Sequence, residues 1–174
     1  MVTGTDLAGH GIHTYDDHFQ CETLFDLVRA AGERSAAIGF EGYTGSRLLG
    51  RFADIDGVTA LETDDWIADR VIEIAREQRP AFVIAQLGRV DDIFHRYGPS
   101  SPEVVPMLRG TDARLDRLTG VLTKLGYGIV ILLDHGQHDI PGELGRGHRG
   151  GHGSDRDEDR LVPCTWVAPW AANS

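Results

Sequence analysis

The chain has 174 residues, 41% hydrophobic and 25% charged, with a formal net charge of −10. That length fits a single domain, 1–174, with a sizeable core. The acidic balance argues against a broad basic face for polymeric nucleic acid or an anionic membrane, and no apolar run approaches the roughly 20 residues that span a bilayer. Cys21 and Cys164 stand far apart and make no disulfide framework, so the compartment stays open.

Helix and strand patterns alternate along the chain, as in α/β folds. Residues 1–18 are rich in Gly, His and Asp and read as loop. A helix is expected over 21–33, with Leu24, Leu27 and Val28 on one face and Gly32 at its end. Ser35 to Phe40 reads as a short apolar strand. Thr63 can cap a helix that begins at Asp64-Asp65 and aligns Ile67, Val71 and Ile74. Pro80 ends it, and Ala81 to Leu87 reads as a buried strand.

Ser101-Pro102-Glu103 marks the start of a third helix, whose apolar positions run from Leu108 to Leu125 and which Gly126 stops. Ile129 to Leu133 is a continuous apolar run, the pattern of a strand covered on both faces. Residues 135–160 read as a Gly-, Asp- and Arg-rich loop. Leu161 to Ala168 reads as a last strand, with Pro163 marking either an edge or its first turn.

Polar residues cluster just past two of these strands, where open α/β sheets bind ligands. Asp91 and His95 are spaced i, i+4, which puts both on one face of a helical turn, able to share a metal ion. The alternative is a solvated acidic loop with a surface histidine. Asp134-His135-Gly136 follows a five-residue apolar run, where an unpaired Asp and His are costly to bury. They either meet water at a strand-end turn or bind something, and carboxylate oxygen plus imidazole nitrogen suits zinc or manganese. Gly136 would let the backbone turn close to such an ion. His152, between Gly151 and Gly153, has little packing to explain it. On its own it reads equally as a surface histidine.

Taken in order, Val-Asp-Asp-Ile-Phe-His-Arg-Tyr-Gly-Pro at 90–99, Asp-His-Gly at 134–136 and His-Gly at 152–153 resemble the type I phosphodiesterase/nucleotide pyrophosphatase branch of the alkaline-phosphatase superfamily. Val2-Thr3-Gly4 and His10-Gly11-Ile12 resemble a further stretch of that pattern. Phe94, the Arg89-Val90 lead-in and Gln137 depart from it, without removing a ligand.

The resemblance implies a three-layer α/β/α sandwich with a mainly parallel central sheet. It implies two divalent metal ions, zinc with manganese as the alternative. Asp91, His95 and His152 would hold one ion, and Asp134 and His135 would supply two ligands of the other. The implied activity is metal-dependent hydrolysis of a small-molecule phosphodiester or phosphomonoester.

In the family, the second ion also takes an Asp and a Thr or Ser nucleophile that shortly precede the Val-Thr-Gly stretch. Here that stretch begins at residue 2. The expectation is therefore a chain that binds metal but turns over poorly or not at all, with a gap or an exposed sheet edge that invites a homodimer or aggregation. A non-catalytic metal-binding remnant is the rival of another class. A phosphomutase would need a large inserted domain and a sulfatase a Cys/Ser-x-Pro-x-Arg motif, and neither is visible. His10, His13 and His148 are set aside as ligands. His138 and Asp139 are weighed as partners that orient a ligand, and Arg146 and Arg149 as phosphate contacts, against an ordinary loop.

Overall fold

The computed structural model describes residues 1–60, 63–144 and 147–169. The chain forms two compact units, Met1–Leu87 and Gly88–Ser174.

The first unit begins with a helical turn, α1 (Leu7–His10), capped by the Asp6 side chain and closed by Gly11 in the left-handed region. Helix α2 (Leu24–Ala30) starts at Thr23, which forms a reciprocal capping box with Asp26. It is shorter than the expected 21–33, and its buried residue is Phe25, while Leu24 and Leu27 are exposed. A ring offers more area to bury than a leucine. Phe25 meets Phe82 edge-on at 5.4 Å and stacks on Phe52 at 6.4 Å.

Strand β1 (Ser35–Phe40) is buried along its whole length. A turn, α3 (Thr44–Arg47), and a 3₁₀ turn at Leu49–Arg51 lead to strand β2 (Ile55–Thr59). Helix α4 (Asp64–Glu77) is capped by Thr63 and buries Ile67, Val71 and Ile74, as their spacing predicts. Strand β3 (Phe82–Ala85) follows Pro80. Both β2 and β3 pair parallel to β1, in the order β2-β1-β3. This is the mixed α/β class that the alternation predicts, with the parallel sheet that the resemblance implies. No sequence expectation covered β2, because Asp56 and Gly57 interrupt its apolar pattern. Gly57 is there for space: a Cβ would lie 2.6 Å from Ile38 Cγ1 on the neighbouring strand.

The second unit begins with helix α5 (Arg89–Tyr97), closed by Gly98 at φ 84°. A 3₁₀ turn at Pro102–Val104 feeds helix α6 (Val105–Lys124), and Gly126 follows at φ 91°. Strand β4 (Ile129–Leu132) pairs antiparallel with β7 (Cys164–Val167). Expected to be covered on both faces, β4 instead alternates, with Val130 63% exposed opposite Trp166. The segment expected as loop holds a hairpin, β5 (His138–Leu144) and β6 (His148–Gly151), and a short turn, α7 (Asp157–Arg160). Its ladder is made by backbone groups, so a polar, glycine-rich composition hid it. Among the described residues no helix is long and apolar enough to cross a membrane.

Replacing the fully buried Phe25 with Ala should cost about 3–5 kcal/mol of stability. Urea unfolding reads this as a lower midpoint at unchanged slope, and an unchanged midpoint contradicts the assigned core.

Candidate metal centre

The second unit brings the predicted ligands together through α5 and the β5–β6 hairpin. Helix α5 carries Asp91 and His95 one turn apart, with His95 Nε2 3.5 Å from Asp91 Oδ1. The helix sits hard against β6. A Cβ on Gly150 would collide with the Phe94 carbonyl oxygen of α5, so only glycine allows this approach. The same contact orients a ring. His95 Nδ1 lies 3.0 Å from the Gly150 carbonyl oxygen. A carbonyl can only accept, so Nδ1 carries the proton and Nε2 presents its lone pair towards Asp91.

His152 leaves β6 immediately beyond Gly151 and places Nε2 3.9 Å from the same Asp91 Oδ1. Its ring lies 5.0 Å from that of His95 and stacks on that of His135 at 3.7 Å, with planes 20° apart. His135 Nδ1 is 3.1 Å from the Gly136 carbonyl, which by the same logic leaves its Nε2 free.

The tightest triple of potential ligands is Asp91, His135 and His152, whose ligand atoms lie within 4.8 Å of one another. His95 adjoins this group through Asp91 and His152. Asp134 stands at its margin: its side chain is 49% exposed, with Oδ1 3.9 Å from His135 Nε2. Members of both ligand sets read from the sequence, Asp91, His95 and His152 from one and His135 from the other, thus lie in one cluster, with Asp134 at its edge.

The donors suit a metal ion. Bonds of about 2.0–2.1 Å to a tetrahedral ion place neighbouring ligand atoms about 3.3–3.4 Å apart. The separations of 3.5 Å and 3.9 Å about Asp91 Oδ1 approach that spacing. Partial burial, then the neighbouring His135, push the His152 imidazole below its ordinary pKa, and Asp91 opposes them. The neutral form so favoured is the one that binds metals.

Several neighbours were missed in the sequence or set aside. Gln137, noted only as a departure from the family pattern, donates from Nε2 to Asp91 Oδ1. Its own Oε1 is buried without a hydrogen-bond partner among the described residues. His148, discounted because glycines make a helix there improbable, reaches the cluster on β6 instead, its ring 5.1 Å from that of His95. His138 pairs with Asp159 at 2.7 Å, a partner that no local spacing signalled. Gly136 makes room for the Glu158 carbonyl oxygen, which a Cβ would strike; this differs from the approach to an ion expected of it. Arg146 lies outside the described residues.

The first unit thus holds a parallel sheet with its helices, and the second a carboxylate–imidazole cluster. A model of the type I phosphodiesterase / nucleotide pyrophosphatase family matches residues 40–151, and the chain belongs to that family. Among solved structures it is similar to phosphonoacetate hydrolase from Sinorhizobium meliloti 1021, at TM-score 0.58 and 22% identity over 78% of this chain and 43% of that one. It is also similar to murine ectonucleotide pyrophosphatase/phosphodiesterase 5, at TM-score 0.59 and 19% identity over 80% of this chain and 44% of that one. These likenesses establish the fold. The chain spans less than half the length of each of these relatives. No curated protein sequence matches it.

Gly150→Ala should force α5 away from β6 and cost about 1–3 kcal/mol, read by thermal unfolding; wild-type stability would contradict the close approach. His152, its pKa lowered on folding, should titrate below the ordinary histidine value when its ring protons are followed by NMR. The sign follows from linkage: below that ordinary value the unfolded chain binds the proton more readily, so this stability contribution is lost as pH falls. A titration at or above the ordinary value contradicts the assigned environment.

Proposed function

We propose that this chain supplies most of the metal centre of a phosphoric-ester hydrolase acting on a small-molecule phosphate ester. In this reading Asp91, His95 and His152 hold one divalent cation, and Asp134 and His135 give two donors to a second. Zinc suits imidazole nitrogen with carboxylate oxygen, and manganese is the alternative. When bound, such cations supply Lewis-acid polarisation and neutralise charge on a phosphate ester.

The remaining work falls to the chain's own groups. The Gly150 carbonyl fixes which nitrogen of His95 carries the proton. Gln137 holds one oxygen of Asp91, restricting the rotation of that carboxylate. Partial burial, then the His135 ring stacked against it, favour the neutral form of His152.

The observation that carries the reading is the convergence of His95 Nε2 and His152 Nε2 on one oxygen of Asp91, from segments more than fifty residues apart in sequence. Family membership supports the reaction class. The relatives' structures support a small anionic substrate: one holds phosphonoacetate, and an inactive variant of another holds AMP.

Metal-stripped protein, with any coding sequence upstream of Met1 included, should recover hydrolysis of bis(p-nitrophenyl) phosphate or p-nitrophenyl phosphate when zinc or manganese is restored. Asp91→Ala should lower that activity to background while leaving the fold intact by circular dichroism. Metal-independent hydrolysis, or full activity in Asp91→Ala, contradicts the proposal.

A further inference from the structure

Asp159 lies outside the cluster and is its most heavily engaged neighbour. It sits in α7 with its side chain 2% exposed. One carboxylate oxygen accepts from His138 Nδ1 at 2.7 Å. The other accepts from the Ser154 N–H at 2.8 Å and from the Ser154 hydroxyl at 2.6 Å. The backbone carbonyl of Asp159 accepts from the Gly136 N–H at 2.8 Å. Burial pushes the carboxyl pKa up, but the hydrogen bonds from Ser154 and His138 outweigh it and hold the group well below the ordinary carboxylate value.

The segments so tied are those that present the ligands. Gly136 adjoins His135. His138 adjoins Gln137, which holds Asp91. Ser154 stands two residues beyond His152, and His138 is registered against Gly151 in the hairpin. Gly136 has no room for a side chain, because Glu158 of the same turn lies against it. One residue therefore joins α7 to both ligand-bearing loops at four hydrogen bonds.

We infer that Asp159 is a positioning residue of the metal centre, its buried carboxylate and its carbonyl holding the loops of His135 and His152 at the separation a shared site requires. This rests on the metal-centre reading above, and goes beyond it by assigning a role to a residue that touches no candidate ligand side chain. Partners of this kind set the orientation of ligands, and their removal lowers metal affinity by about 10–100-fold.

The test measures zinc affinity by competition with a chromophoric chelator, and records the visible absorption of the cobalt(II)-loaded protein, whose bands report ligand geometry. Asp159→Ala should weaken zinc about 10–100-fold and alter the cobalt bands. Asp159→Asn keeps an acceptor for Ser154 and should restore much of the affinity. Ser154→Ala removes the hydroxyl's bond to the carboxylate, together with its longer bond from the Arg156 N–H, and should weaken zinc by a few-fold, which keeps the test decisive if Asp159→Ala does not fold. Wild-type affinity and an unaltered cobalt spectrum in folded Asp159→Ala, or in Ser154→Ala where Asp159→Ala does not fold, overturn the inference. Asp91→Ala serves as the control. If it abolishes zinc binding while the Asp159 and Ser154 variants bind normally, only the positioning role fails. If it binds zinc normally, the metal-centre reading fails as well.

Discussion

The whole site depends on how closely helix α5 can approach strand β6. Gly150 permits it, because any side chain there would strike the Phe94 carbonyl oxygen. The Gly150 carbonyl then accepts a hydrogen bond from Nδ1–H of His95, and the ring so oriented offers its other nitrogen to the side where Asp91 and His152 lie. A single backbone contact thus sets helix position, ring orientation and tautomer together. Widening it by the size of a methyl group would disturb all three.

That geometry gathers four imidazole rings beside one carboxylate. His95, His135, His148 and His152 crowd into one region, and charging more than one of them sets like charges a few ångströms apart. Asp91 gives partial compensation, with Gln137 hydrogen-bonded to it. Partial burial and the neighbouring His135 lower the pKa of His152, which favours the neutral form that binds a metal. A proton taken up by His152 would remove one ligand atom from the centre.

Much of this was legible in the sequence where a local rule governs. The i, i+4 pair of Asp91 and His95 fell on a helix because helical spacing needs no tertiary information. The strand at Ser35–Phe40 and the helix from Asp64 follow from apolar runs and a Thr63 cap. The hairpin carrying His148 was not legible, because its ladder is a backbone property and its residues are polar or glycine. Phe25 was passed over for Leu24 and Leu27 because periodicity does not weigh ring against branch. Asp159 was invisible for a further reason: its partners His138 and Ser154 are brought to it by the fold, and no spacing in the sequence marks them as a set.

The central claim is that Asp91, His95 and His152 close on a common cation. The most direct measurement is anomalous diffraction at the zinc edge from crystals equilibrated with zinc. The account predicts a peak about 2.0–2.2 Å from an Asp91 carboxylate oxygen and from Nε2 of both His95 and His152. A fully occupied zinc bound elsewhere, with those three side chains left uncoordinated, would contradict it.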